Sequence, residues 1–266
     1  MKNYPNIGRL INIMHQLRQP DGCPWDRKQD ITSLRPYIIE EAFETVEALD
    51  NLDVTNKESV QELVKELGDL LLQVVFVSQI ASETALFTLD DVAAAISDKL
   101  VERHPHVFGT ETAKDADEVL LNWNKIKKSK EQKKYLLDGI PQAMPAVNLA
   151  QRYSSRAASI GFDWKTWEDC LPKVYEEIDE LKEAIAENDK EHIESEAGDA
   201  LFAVINLARK LDVDSEKALK KAALRFKRRF EVMEELNSAL IDGETPLEEM
   251  EDLWQQAKKI LRENKK

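Results

Sequence analysis

Hydrophobic residues recur every three or four positions along most of the chain, with charged residues between them. This spacing predicts amphipathic helices over about residues 7–17, 33–49 and 88–103, another beginning near residue 55, and a fifth that carries Trp123. Only 8 glycines occur in 266 residues, which argues against a sheet protein rich in tight turns. The pattern therefore predicts an all-α fold.

Polar residues at the ends of these segments predict where the helices begin. In the first half, the predicted caps are Ser33, Thr55 with Glu58, Thr88, and Asp115 with Glu118. In the second half, helices are predicted over about residues 146–159, around Glu177, from Asn188 with Glu191, from Asp214 or Ser215, and from Thr245-Pro246-Leu247-Glu248. The two halves thus contain a similar succession of helices.

The apolar stripes of the acidic helices are expected to form the core. In the first half these stripes are Ile39, Phe43, Val46 and Leu49, followed by Leu63, Leu67, Leu70, Leu71 and Val74. In the second half they are Val174, Ile178, Leu181 and Ile185, followed by Ile193, Ala197, Ala200, Leu201 and Val204. The acidic residues of each helix lie on a face beside its stripe.

The second half repeats the first. Glu177 minus Glu41 gives 136, Asp199 minus Asp69 gives 130, and Trp254 minus Trp123 gives 131. Offsets that drift this little indicate an internal duplication with loops of different length. We therefore predict two tandem helical-bundle domains, at residues 1–127 and 146–266, joined by a Lys-rich and Pro-containing linker at residues 128–145.

Each half carries four acidic residues in two pairs, spaced so that each pair projects from one helix face. The first quartet is Glu41, Glu44, Glu66 and Asp69, and the second quartet is Glu177, Glu180, Glu196 and Asp199. A single such pair is usually solvated surface, but two matched pairs that occur twice indicate a site for Mg2+, with Mn2+ as a substitute. A di-iron bundle would need Glu-x-x-His pairs, and neither quartet contains a histidine.

Basic and aromatic residues form a second repeated pattern. Lys99 and Arg103 correspond to Arg225 and Arg229, and the later pairs are Trp123 with Lys127 and Trp254 with Lys258. Such cations can bind phosphates, and a neighbouring tryptophan can stack on a base. The alternative is that both tryptophans belong to the core and the cations only balance the acids.

The composition of the chain disfavours several classes of function. The net charge of -14 disfavours nonspecific binding to nucleic acid or to an anionic membrane. Neither common Gly-rich nucleotide-binding motif is found, and no apolar run is long enough to span a bilayer. The two cysteines fit a reducing compartment, so we expect a cytoplasmic protein.

Several of these segments together resemble the MazG family of tandem-domain nucleoside triphosphate pyrophosphohydrolases. The resemblance rests on the duplicated acidic motifs and on three further segments: Cys23-Pro24-Trp25-Asp26, Arg103-His104-Pro105-His106-Val107-Phe108 and Gly161-Phe162-Asp163-Trp164. It implies an all-α dimer that uses Mg2+ to convert a nucleoside triphosphate to the monophosphate and pyrophosphate. It also implies nucleotide contacts at Lys173, Arg225, Arg229, Trp254 and Lys258.

The resemblance also implies that the second copy is the catalytic centre. In the first copy, Pro105 ends the basic helix soon after Arg103. At the catalytic centre the second quartet would hold the metal, and Glu176 or another acid of the cluster would accept a proton from water. His192, one turn before Glu196, is a candidate for a supporting contact to metal or substrate. The first quartet keeps all four acids and is expected to bind metal as well.

Two alternatives to a broad nucleotide-pool enzyme stay open from the sequence. One is a related pyrophosphohydrolase with a narrow substrate, such as a deoxyuridine nucleotide or phosphoribosyl-ATP. The other is a helical regulatory module with vestigial metal sites, for which the Lys-rich run at residues 125–134 is the only support.

Overall fold

The computed structural model describes residues 4–115, 118–119, 122–123, 126, 134–238, 240 and 245–263. All regular secondary structure in this part of the chain is helical, and it contains no strand. The prediction of an all-α fold is therefore confirmed. The chain divides into two compact units, Met1–Glu131 and Gln132–Lys266.

Unit 1 is built on a hairpin of two helices. Its helices are α1 (Pro5–Leu17), α2 (Pro24–Lys28), α3 (Arg35–Asp50), α4 (Lys57–Glu83), α5 (Leu89–Arg103) and α6 (Pro105–Phe108). The loop at residues 51–56 folds α4 back along α3, and both α1 and α5 pack on α4. The core lies mainly between α1 and the second half of α4, and its buried residues are Met14, Leu34, Val75, Phe76 and Ile80.

Unit 2 repeats this hairpin. Its helices are α7 (Ala146–Ala158), α8 (Trp167–Glu187), α9 (Lys190–Lys210), α10 (Ser215–Leu236) and α11 (Leu247–Glu263). Helices α8 and α9 form the hairpin, α7 packs on α9 and α10, and α11 packs on α10. A buried cluster between α10 and α11 consists of Val232, Met233, Leu240, Leu253 and Ala257.

Two predicted helix starts are confirmed, those of α5 and α10. Thr88 caps α5 in a reciprocal capping box with Asp91, and the Asp214 carboxylate accepts a hydrogen bond from the backbone N–H of Lys217 at the start of α10. The Asp115 carboxylate accepts a hydrogen bond from the backbone N–H of Glu118 at 2.9 Å. Lys127, predicted to follow on the same helix, lies outside the described residues.

Three other predicted starts were wrong by one residue. The cap of α4 is Asn56, because Thr55 bonds instead to Asp53. The cap of α9 is Asp189, because Asn188 adopts a left-handed conformation (φ 55°) that ends α8. Helix α3 begins after Leu34 rather than Ser33, since the Ser33 hydroxyl bonds back into the preceding turn.

The start of α11 also differs from the prediction. The helix begins at Leu247, and the backbone N–H of Met250 bonds to the carbonyl of Pro246 at 3.0 Å. Proline therefore occupies the capping position instead of the first helical position, and Thr245 lies before the cap. A proline lacks an N–H to donate, so neither position costs a helical hydrogen bond.

The prediction that the apolar stripes of the hairpin helices are buried was largely wrong for the single chain. Phe43 is 56% exposed and Leu201 is 67% exposed, and most of their stripe neighbours are exposed too. The reason is that α3 and α4 meet through a different face, where the hydroxyl of buried Thr45 donates a 3.3 Å hydrogen bond to the carbonyl of Glu66. Each hairpin thus has an apolar face that the described residues of its own unit leave exposed.

No helix in the described ranges is long and apolar enough to cross a membrane.

Candidate active site

Each hairpin brings acidic groups from both of its helices together. In unit 1, one carboxylate oxygen from each of Glu41, Glu66 and Asp69 lies within 4.8 Å of the other two. In unit 2, the same holds for Glu177, Glu196 and Asp199. Because the acids of one helix are three residues apart, they share a face, and antiparallel packing places the two acidic faces opposite each other.

The fourth acid of each quartet lies beside its close trio. Glu44 lines a cavity together with Glu66. The pKa of Glu180 is raised, first by loss of hydration and then by the negative charge of Glu177. The pKa of Glu41 is also raised, first by loss of hydration and then by the negative charges around it, of which Asp69 has the largest effect. Each of these carboxylates disfavours the ionisation of its neighbours. A bound cation would favour the ionised forms, because its positive charge offsets their repulsion.

One glutamate in each quartet is buried and paired with a lysine. Glu66 in unit 1 is 5% exposed and Glu177 in unit 2 is 7% exposed. The Lys65 ammonium lies 2.8 Å from Glu66, which lowers the pKa of that carboxyl. The Lys173 ammonium lies 2.7 Å from Glu177 and 2.8 Å from Glu176.

The two units place this ion pair on different helices. In unit 1 the buried glutamate and its lysine belong to the second helix of the hairpin, whereas in unit 2 they belong to the first helix. The position of Lys173 is occupied in unit 1 by Tyr37 (173 minus 136), which packs against the core beside Trp25. The two copies of the quartet therefore differ in where their positive charge lies.

Basic groups flank the second quartet at both ends. Lys173 precedes Glu177 by one turn on α8, and His192 precedes Glu196 by one turn on α9. The two ring nitrogens of His192 lie 3.4 Å from Glu196 and 3.1 Å from Glu187. In unit 1 the position of His192 is occupied by an acid, Glu62 (192 minus 130). The second quartet therefore has a histidine where the first has a further negative charge.

The repeated arginine–tryptophan pairs have the same geometry in both units. The guanidinium carbon of Arg103 lies 5.2 Å from the ring centre of Trp123, and that of Arg229 lies 5.2 Å from the ring centre of Trp254. Trp254 also packs against the buried cluster of α10 and α11. Trp254 thus contacts both the buried cluster and the side chain of Arg229. Arg225 is exposed and Lys258 is half-buried.

Three residues that contribute to these sites were missed in the sequence. Lys65, Glu62 and Glu187 all make ion pairs with members of the two quartets or with their neighbours. Only Glu62 stood at a spacing that carried a signal, because it precedes Glu66 by four residues and such residues are neighbours on a helix. The sequence alone did not indicate which of these neighbours would pair.

The residues of both quartets fit a hard divalent cation. Glu66 Oε2 is buried and has no hydrogen-bond partner among the described residues, so a buried lone pair is available to a ligand. Carboxylate oxygens are the donors that Mg2+ and Mn2+ prefer. The described part of the chain places no histidine or cysteine in either close trio, which argues against a zinc or iron site.

Comparisons with known proteins agree with the resemblance to the MazG family. A family model described as the MazG nucleotide pyrophosphohydrolase domain matches residues 29–108 and again residues 165–233. The chain is 44% identical over 263 residues to the nucleoside triphosphate pyrophosphohydrolase of Escherichia coli (strain K12), covering 95% of this chain and 97% of that protein.

Two further relatives extend the comparison. The chain is 44% identical to the nucleoside triphosphate pyrophosphohydrolase/pyrophosphatase MazG of Thermotoga maritima, covering 94% of each chain. It is 40% identical to a Bacillus subtilis protein named uncharacterized protein YabN, covering 97% of this chain and 53% of that protein. Both quartets lie within the segments matched by the family model.

Proposed function

Because the chain belongs to the MazG nucleotide pyrophosphohydrolase family, we propose that it hydrolyses nucleoside triphosphates between the α and β phosphates. The products are a nucleoside monophosphate and pyrophosphate. Relatives 44% identical over nearly the whole chain are named nucleoside triphosphate pyrophosphohydrolases, and the chain is an enzyme of this class. The observation that carries the assignment to one site is the close trio of unit 2 with Lys173 and His192 at its two ends.

The cofactor in this proposal is Mg2+, with Mn2+ as a substitute. Glu177, Glu180, Glu196 and Asp199 would hold it in unit 2, and the first quartet would hold a cation in unit 1. When bound, the ion supplies charge stabilisation to phosphate oxygens and lowers the pKa of a coordinated water. The raised pKa of Glu180 and the mutual approach of the other carboxylates support a cation at this position.

The residues of the chain supply the proton transfer and the binding of the anion. Glu176, or another acid of the cluster, accepts the proton of the attacking water. Glu176 is exposed and is already held by Lys173, which keeps its carboxylate beside the quartet. Lys173, His192, Arg225, Arg229 and Lys258 bind the phosphates, and Trp254 contacts the nucleoside.

Substrate breadth can be tested by product analysis. The protein should convert ATP with Mg2+ to AMP and pyrophosphate, because the quartet and its flanking cations engage phosphates instead of a particular base. Rates across ordinary and deoxynucleoside triphosphates should agree within about tenfold, as expected when binding energy comes from the shared triphosphate. The measurement is anion-exchange chromatography of the products for each nucleotide. ADP with phosphate would contradict the proposed bond, and activity on one nucleotide alone would support the narrow alternative.

The proposal includes a homodimer that covers the exposed apolar stripes. Stable interfaces bury about 800 Å² per partner, and exposed leucine, isoleucine, valine and phenylalanine side chains on both hairpins offer a surface of this kind. Exposed apolar surface of this extent is unusual on a monomer. A second copy of the chain is the partner that presents matching stripes.

Placing a charge on this surface should dissociate the dimer. Leu201→Glu should weaken self-association by at least about 30-fold, because a buried hot-spot position contributes about 2 kcal/mol. Lys190→Glu adds an acid at an exposed position on the same helix and serves as the control. Sedimentation equilibrium should give a dimer for the wild type and the control and a monomer for Leu201→Glu. A monomeric wild type would refute the dimer.

The enzyme is proposed to act in the cytoplasm on free nucleotides, independently of nucleic acid or membranes. Both cysteines are free thiols, with Cys170 buried and Cys23 half-buried. Burial raises the pKa of the Cys170 thiol, which makes it unreactive. Neither thiol is needed for the proposed chemistry.

A further inference from the structure

Helix α10 contains a strongly positive segment in an otherwise acidic protein. Residues 217–230, which we name the basic segment, include seven lysines and arginines and no aspartate or glutamate, whereas the whole chain has a net charge of -14. None of these residues is buried. The side chains that α10 buries, Ser215, Val232 and Met233, lie outside the segment. The basic segment therefore does not belong to the core of unit 2.

The corresponding helix of unit 1 lacks this concentration of positive charge. The offset between the two basic helices is 126 (225 minus 99), so the basic segment corresponds to residues 91–104. Those residues include two lysines or arginines against three acids. The positions of Lys220 and Lys221 are occupied by Ala94 and Ala95. The additional cations are thus found only in the unit to which we assign hydrolysis.

Two of the additional cations have no acidic partner. Within the described part of the chain, no carboxylate forms an ion pair with Lys220 or Lys221, whereas Arg228 pairs with Glu231 at 3.3 Å. Lys221 also precedes Arg225 by one helical turn, and like charges at this spacing destabilise a helix. Neither ion pairing nor the stability of α10 therefore explains the two lysines.

The basic segment extends the pair of arginines assigned to the phosphates of the substrate. Lys221, Arg225 and Arg229 form a row on one face of α10, because each lies four residues from the next. Successive members are about 6 Å apart along the axis, since an α-helix rises about 1.5 Å per residue. Lys221 is exposed and Lys220, beside the row, is half-buried. Their positive charges thus lie one turn from the proposed phosphate contacts.

We propose that Lys220 and Lys221 are positioning residues that attract the nucleoside triphosphate through long-range electrostatics and so speed its capture by Arg225 and Arg229. This inference rests on the proposed function, in which the two arginines bind the phosphates. An anionic substrate is repelled by a protein of net charge -14. A local positive surface beside the site offsets that repulsion and raises the association rate.

Steady-state hydrolysis of ATP by the full-length protein with Mg2+ tests the proposal. At an ionic strength of about 0.01 M, Lys220→Glu with Lys221→Glu should lower kcat/KM at least about fivefold, because charges then act over a Debye length of about 30 Å. The kcat should stay within about twofold, since neither lysine touches the substrate. At about 1 M salt, where the Debye length is about 3 Å, the difference in kcat/KM should fall below about twofold.

The matched control makes the same change in net charge elsewhere. Lys28 and Lys57 are exposed residues of unit 1, and Lys28→Glu with Lys57→Glu should lower kcat/KM by less than about twofold. Stopped-flow binding of a fluorescent nucleotide with a methylene bridge between its α and β phosphorus atoms separates the two rate constants. In the Lys220→Glu/Lys221→Glu protein the association rate should fall at least about fivefold at low salt, while the dissociation rate is unchanged.

Three results would overturn the proposal. These are wild-type kcat/KM in the Lys220→Glu/Lys221→Glu protein at low salt, an equal loss in the control variant, and a loss that persists at high salt or affects kcat alone. The last would indicate a direct contact or a structural role. If the wild type releases no pyrophosphate, the proposed function fails instead, and the stopped-flow association rates still decide whether the two lysines speed nucleotide capture.

Discussion

Replacing Glu177 and Glu180 together by glutamine should lower Mg2+-dependent pyrophosphate release by at least about 1000-fold, equivalent to about 4 kcal/mol of transition-state stabilisation. The substitution keeps the size of both side chains but removes two of the four charges that are proposed to hold the cation in unit 2. It also removes Glu177, the buried one of the two anionic partners of Lys173. Pyrophosphate release from ATP is measured with a coupled assay at saturating Mg2+.

The duplication provides a matched control for this experiment. Glu41→Gln with Glu44→Gln makes the same change in the first quartet, where an acid and a tyrosine occupy the positions of His192 and Lys173. This variant should retain activity within about threefold, since the first quartet is not proposed to carry the hydrolysis. Circular dichroism should show native helicity for both double variants. A fully active Glu177→Gln/Glu180→Gln protein would refute the assignment of catalysis to unit 2.

Asp163→Asn should lower the free energy of unfolding by about 3 kcal/mol, because it leaves two mostly buried cations without their anion. Asp163 follows Gly161 and Phe162 in the loop before α8, and its carboxylate lies 2.5 Å from Arg209 and 3.0 Å from Lys210. Lys210 also donates to the carbonyl of Trp164. This network fixes the loop to the end of α9, and with it the start of the helix that carries Glu177 and Glu180.

The same ion pairs predict how stability depends on pH. The hydrogen bond from Arg209, with help from Lys210, lowers the pKa of Asp163 below its ordinary value of 3.8. The stabilisation is therefore present above pH 3.8 and is lost as the pH falls through the lower pKa of the folded state. In Asp163→Asn this acid-dependent part of the unfolding free energy should be missing.

Urea unfolding at several pH values measures both effects. Asp179→Asn is the control, because Asp179 pairs with Lys182 at 2.7 Å while both side chains are more than two-thirds exposed. Exposed pairs of this kind contribute about 0.5 kcal/mol or less. Equal and small losses in the two variants would show that the Asp163 network does not stabilise unit 2.

Local patterns in the sequence were enough to predict the fold class and the duplication. Helical periodicity gave the hairpin helices, and Thr88 and Asp214 cap their helices as predicted. The resemblance to the MazG family is confirmed by a family model that matches both halves. Cap positions were wrong by one residue where two polar residues were adjacent, because both Thr55 and Asn56, or Asn188 and Asp189, can accept the hydrogen bond.

The burial of the apolar stripes could not be predicted in the same way. Periodicity identifies an apolar face but does not say whether another helix of the same chain or a second protein covers it. Phe43 and Leu201 satisfy the pattern of a core residue and are nevertheless exposed. The missing information is tertiary, since the choice of the Thr45 face for the contact between α3 and α4 depends on how the two helices fit together.

The ion pairs around the two quartets could be predicted only in part from the sequence. The eight acids were found from their i, i+3 spacing, but the ion pairs of Lys65 and Lys173 depend on side-chain geometry. Those pairs distinguish the two sites more sharply than the acids, which are present in both. They are the basis for proposing that unit 2 carries the nucleotide hydrolysis.

The bond that is broken can be tested most directly by hydrolysing ATP in water enriched in oxygen-18. Attack of water on the α phosphorus, as proposed for the second quartet, places the new oxygen in AMP. Mass spectrometry of the products should find one labelled oxygen in AMP and none in pyrophosphate. Label in pyrophosphate, or formation of ADP with labelled phosphate, would contradict hydrolysis at the α phosphorus.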